Sequence, residues 1–165
     1  MPFRRAFSTL GCPQLELAEA FALAVRHGVD AIELRALGGT LDLPDYFSRH
    51  FGEPAKFHAE LRRAPVAVPV IDTSFRLIGS GETERGALLG FVPWAEAAGV
   101  PWLRVFDGGK TNGAPEFAER VATMAWWQAL RSQHEWRTDL LVETHDALFS
   151  ADAIGQCAVA RGVTS

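Results

Sequence analysis

Short apolar runs alternate along the chain with longer stretches in which apolar residues return every three or four positions, the two periods expected of strands and amphipathic helices. AFSTL (6–10) reads as a first strand, stopped by Gly11 and Pro13. Leu17, Phe21, Ala24 and Val25 then recur at helical spacing, with Glu16, Glu19 and Arg26 off that face, until Gly28 supplies a stop. DAIELR (30–35) is the second strand, followed by a loop marked by Gly39 and Pro44 and a helical region from about 45 to 64, interrupted near Pro54. VAVPVIDT (66–73) is the third strand. Pro69 has no N–H to donate, so its paired part is expected to start at Val70. A helix over 82–98 carries Leu88, Val92 and Ala95 on one face and ends at Gly99, and PWLRVFD (101–107) is the fourth strand. From about 115 to 133 a further helix begins on Pro115 and buries Phe117, Val121 and Met124. Trp126 and Trp127 lie ~100° apart on it, so only one can face the core. DLLVETHD (139–146) is the fifth strand, and Ser150 opens a last helix toward Arg161.

Strands alternating strictly with helices, and apolar enough to be covered on both faces, call for a parallel sheet within one α/β domain over 1–165. The strand starts at 6, 30, 66, 101 and 139 are separated by 24, 36, 35 and 38 residues; all but the first spacing are the size of a βαβ step. Two architectures share this pattern. An open doubly wound parallel sheet is complete with five strands, whereas a TIM barrel needs eight units and about 250 residues. Length alone favours the doubly wound sheet.

Composition narrows the function without choosing it. The 48% apolar and 22% charged residues are ordinary for a domain with a real core. A net charge of −4 with 16 scattered Lys and Arg gives no basic face for nucleic acid. No segment approaches the ~18 apolar residues of a membrane span. Glu16 and Glu19 interrupt what would have to be the apolar part of an export signal, so a cytoplasmic location is expected. Cys12 and Cys157 stand far apart in no metal-binding spacing and read as two reduced thiols. No GxSxG elbow, HExxH or Cys–His pairing supports nucleophilic or zinc-protease chemistry. DGGKTNG (107–113) lacks the spacing of a phosphate loop.

The chemistry-bearing residues gather where the strands finish. Glu33 and Arg35, then Asp72, Thr73 and Ser74, then Arg104 and Asp107, then Glu143, His145 and Asp146 close the second to fifth strands. The opposite ends carry little beyond Asp30 and Asp139. In either architecture the carboxyl edge is the functional one, and this asymmetry points to a polar ligand. Strand alternation puts Glu143 and His145 on one face, where Glu143 offers oxygen to a hard cation or a hydroxyl-rich ligand and His145 adds a nitrogen. The plainer alternative pairs Glu143 with Arg35 or Arg104 across the sheet. Glu33 and Arg35 share a face and could pair with each other.

HGVDAIELR (27–35), VPVIDTSFRLIG (68–79), VPWLRVFDGG (100–109) and LLVETHD (140–146), in that order, resemble the first part of a sugar phosphate isomerase/epimerase of the xylose-isomerase-like TIM-barrel superfamily. The resemblance runs over roughly 6–160 and implies an incomplete TIM barrel of about five strands. It further implies a divalent metal (Mn, Mg, Co or Zn) held by Glu143 and by ligands on three later strands. Glu143 would also act as acid/base, and Glu33 and His145 would line the substrate pocket, with Arg35 or Arg104 holding oxyanions or carboxylates. The ligand expected is a sugar or polyol.

The fifth unit runs out in AIGQCAVARGVTS, so the strands with the remaining ligands are missing from the pattern and the chain alone is expected to be inactive. Open first and fifth strands would then favour self-association. Beside the enzyme stands a second expectation, a non-catalytic binding or self-associating module on the same fold. A DNA-repair endonuclease, also known in that superfamily, is disfavoured by the acidic balance.

Overall fold

The computed structural model describes residues 4–160 except 112 and 149, without the side chains of 156–160. The Cys157 thiol and the end of the last helix at Arg161 lie outside the described residues. Five strands, β1 (Ala6–Ser8), β2 (Ala31–Leu34), β3 (Ala67–Arg76), β4 (Trp102–Phe106) and β5 (Asp139–Glu143), alternate with helices. The helices are α1 (Leu17–Arg26), α2 (Leu43–Phe51), α3 (Pro54–Leu61), α4 (Glu82–Ala98), α5 (Ala114–Gln133) and α6 (Ala151–Ala160). The helical region after β2 is two helices, because Gly52 turns the chain at φ 75° and Pro54 begins a new first turn.

All neighbouring strands pair in parallel, in the order β1-β2-β3-β4-β5. This overturns the doubly wound alternative. A doubly wound sheet reverses its strand order at a switch point, while here each strand is laid beside the last in one direction. All six helices of the described residues contribute to a single core with one face of the sheet, as helices do in a barrel wall. Length had pointed the other way because it counts strands and says nothing of their order.

Ile32, Leu34, Ile71, Leu103, Val105 and Leu140 face the helices and form one core with Phe47, Phe57, Trp94 and Trp127. Trp127 is buried and Trp126 is half-buried beneath the Arg85 guanidinium, so the pair divides as its helical spacing requires. The strands are not apolar on both faces: one face is a core surface and the other carries charge.

Register in β3 decides where that charge falls. Ala31 pairs with Ala67 and Glu33 with Val70, so β3 spends an extra residue around Pro69. The proline is absorbed in this irregularity, and β3 pairs with β2 from Ala67 although its pairing with β4 starts at Val70 as expected. A second irregularity separates the pairs Asp72–Arg104 and Arg76–Phe106. There the Thr73 hydroxyl donates to the Arg104 carbonyl at 2.9 Å. The fifth strand stops at Glu143, short of the expected 146. Thr144, His145 and Asp146 belong to the following loop, and strand alternation does not place them.

Candidate functional site: an arginine-centred carboxylate cluster

Three strands meet at Arg104. It stands on β4 opposite Asp72 on one side and Leu141 on the other, and its side chain runs along the open face of the sheet. Its Nε lies 3.0 Å from Glu33 Oε2, Nη2 donates to Asp72 Oδ2, and Nη1 donates to Glu143 Oε2 at 2.5 Å. Arg35, two residues beyond Glu33, places Nε 2.9 Å from the same Asp72 oxygen and donates from Nη2 to Ser74 Oγ at 3.1 Å. The turn that delivers Arg35 is tied by Thr9, whose buried hydroxyl accepts the backbone N–H groups of Arg35 and Ala36.

Asp72 is 0% exposed and sits between two guanidiniums. Burial pushes its carboxyl up to about 6, even though Arg104 and Arg35 both favour the charged form. Burial works against charge on Arg104, and its bond to Asp72, with the nearby charges of Glu33 and Glu143, outweighs that and holds the guanidinium charged. Glu143 is the most open member, with its side chain 32% exposed.

Glu33, Arg35, Arg104 and Glu143 are therefore brought together, and the plainer expectation for Glu143, a pair with Arg104, is what the structure contains. Glu33 and Arg35 do not pair with each other, because the register of β3 offers each a better partner. Both guanidiniums contact carboxylates of this chain, and Arg35 keeps a buried Nη1 with no hydrogen-bond partner. His145 stands apart. Its ring is exposed, 5.5 Å from the Phe106 ring.

Sequence reasoning placed Asp72 and Asp107 at strand ends and gave neither a role. Asp72 is the buried member of the cluster, and the signal was present: one carboxylate inside VPVIDT has to find a cation. Asp107, also fully buried, accepts the backbone N–H groups of His145 at 3.0 Å, Asp146 at 2.8 Å and Leu148 at 2.5 Å. Burial raises its carboxyl, and these bonds more than offset that and hold it below the ordinary range. At the opposite edge Asp30 accepts from the Arg5 N–H and Asp139 from Trp127 Nε1, so the charges there tie the chain together.

The donor set does not fit a resident divalent cation. Among the described residues no three His, Cys, Asp or Glu are grouped to hold one. A hard cation asks for six or more oxygens, and the three carboxylates here already share a guanidinium. A cavity of about 390 Å³ lies beside the cluster between the start of α2, the end of β3 and α4, lined by Pro44, Ser74, Phe75, Leu88 and Phe91. It is mostly apolar and meets the charged group through Thr73 and Ser74.

No family model and no curated protein matches the sequence. Solved structures share the fold of this chain. One of them is the probable 3-DHS dehydratase AsbF of Bacillus anthracis, described as involved in petrobactin synthesis, with a TM-score of 0.75 at 16% identity over 97% of this chain. The chain spans 60% of that protein's length. Among the described residues no helix is long and apolar enough to cross a membrane.

Proposed function

We propose that the chain belongs to an enzyme that moves a proton at the carbon beside a carbonyl in a sugar, polyol or related hydroxylated compound, as a sugar isomerase or epimerase does. The observation that carries this reading is the convergence of Glu33, Asp72, Arg104 and Glu143 at the carboxyl edge of a barrel-type sheet, where such folds hold their ligands. The fold match to a protein described as a dehydratase is compatible, because loss of water beside a carbonyl can begin with the same proton abstraction.

Glu143, the most open carboxylate, takes the proton. The C–H electron pair passes into the carbon–carbon bond and the carbonyl oxygen becomes an enolate. Return of the proton to the neighbouring carbon, with that compound's hydroxyl proton passing to the enolate oxygen, isomerises; delivery of a proton to the other face by a second acid, while Glu143 keeps the first, epimerises. His145, exposed beside Phe106, hydrogen-bonds a substrate oxygen, and Glu33 lines the same wall. No step passes through a metal ion.

The test is proton exchange in D2O, followed by NMR over a panel of aldoses, ketoses and hydroxy-keto acids, with and without Mn²⁺. Deuterium should enter beside the carbonyl of at least one compound, and Glu143→Gln should slow this by about a hundredfold or more. No exchange with any compound overturns the reading.

A non-catalytic, self-associating module is the second reading, favoured by Trp102 and Leu141, each 39% exposed on the open face of the sheet. Light scattering would support it by a concentration-dependent dimer, and a monomer throughout would count against it.

A further inference from the structure

Two helices begin beside the end of β3, and each brings a carboxylate to the same cavity. Asp42 is the N-cap of α2, its Oδ1 accepting the Asp45 N–H at 3.2 Å. Glu84 stands in the first turn of α4, its Oε2 accepting the Gly81 N–H at 2.9 Å. Both are exposed, and both line the cavity of about 390 Å³. Among the described residues neither forms an ion pair with a Lys or Arg. The guanidiniums nearby are committed elsewhere: Arg49 pairs with Asp45, Arg85 lies over the Trp126 ring, and Arg35 is held by Asp72. A helix N-terminus offsets roughly half a negative charge, so the two carboxylates together leave about one for a ligand to meet.

The rest of the lining is apolar. Phe75, Leu88 and Phe91 are buried, Pro44 is half-buried, and Leu41 leaves a large apolar side chain 47% exposed. Thr73 gives its hydroxyl hydrogen to the Arg104 carbonyl and Ser74 Oγ accepts from Arg35, so neither adds charge. The volume lies within the ~300–1,000 Å³ of small-molecule sites. A carboxylate or phosphate ligand would be repelled at Asp42 and Glu84, and a bare sugar would give up hydrogen bonds to water against the apolar wall. An apolar body with one positive charge meets both parts of the lining.

We infer that this cavity binds a small primary amine with an apolar ring. The ring packs against Phe75, Leu88 and Phe91, and the ammonium, charged at neutral pH, faces Asp42 and Glu84. The inference does not depend on the reaction proposed above. Its readout is binding, so either can fail alone.

The experiment measures saturable binding to the full chain by ligand-observed NMR and calorimetry. The probes are 2-phenylethylamine, the neutral 2-phenylethanol, the anionic phenylacetate, and propylamine, which has the charge without the ring. The ring-bearing amine should bind one per chain, at least tenfold more tightly than each of the others. Asp42→Asn combined with Glu84→Gln, whose side chains still accept the capping N–H, should bring the amine down to the level of the alcohol. A Cβ on Gly90 would sit 3.9 Å from Pro44 without a clash, so Gly90→Leu fills the cavity from α4 and should abolish amine binding. Circular dichroism checks that each variant is folded, and Glu84→Gln alone, with an expected loss of at least threefold, replaces a double variant that is not. Absence of saturable amine binding overturns the inference. So does an alcohol bound as tightly as the amine, or amine binding that a folded Gly90→Leu or carboxylate variant leaves unchanged.

Discussion

Ile32, Leu34, Ile71, Leu103, Val105 and Leu140, on the helix-covered face of the sheet, are each exposed by 2% or less and carry apolar side chains. One residue along the same strands, Glu33, Asp72, Arg104 and Glu143 line the other face and are held by ionic contacts, beside Trp102 and Leu141, which are partly bare. The helix side is stabilised by removing apolar area from water, an effect that needs no partner of particular geometry. The open side depends on each charge meeting its opposite, because a buried ion without a partner costs more than the pair returns. Period-2 alternation thus lets a five-strand sheet be a core on one face and a charged surface on the other.

Replacing Leu103 by Ala should give the largest effect of the substitutions that test this contrast, a loss of about 4 kcal/mol in urea unfolding, because the side chain is fully enclosed. A loss below about 1 kcal/mol would mean that the helix face is not the main source of stability. The next is a pH effect. Asp72 has a folded value of about 6 against an ordinary 3.8, so the unfolded chain gives up this proton first as pH rises. Its contribution to stability falls between about pH 4 and 6 and is level above. Relative to Asp72→Asn, the wild type should lose up to roughly 3 kcal/mol across that window, read from denaturation at each pH. A difference that stays flat would break the picture of a carboxylate enclosed between arginines. Leu141→Ala should be the smallest, under about 1 kcal/mol, if the open face is bare in solution. A larger loss that grows with protein concentration would show that a second copy covers it.

The elements were legible in the sequence because each depends on neighbours in the chain. The 82–98 helix, its Gly99 stop and the β4 strand follow from periodicity and punctuation alone. The charged carboxyl edge was legible for the same reason, since polar residues end apolar runs. What pairs with what was not, because that depends on which strands lie side by side and on where one slips. The irregularity at Pro69 sets Glu33 against Val70, and Asp72 stands level with Arg104 on the next strand, so the expected Glu33–Arg35 pair gives way to a network across four strands. The extent of β5 was overread for a related reason. Nothing local in VETHD shows that the backbone after Glu143 is bound by a carboxylate on the previous strand.

That carboxylate, Asp107, has a consequence in time. Loops ordinarily open far more often than the sheets that carry them. The amides of His145, Asp146 and Leu148 close onto a buried group at the tip of β4, and β4 is laddered to β5 along its whole length. Exposing them means withdrawing Asp107 from its enclosed seat, which disturbs the strand pair itself. The stretch that presents His145 therefore has the shape of a loop and the lifetime of a strand.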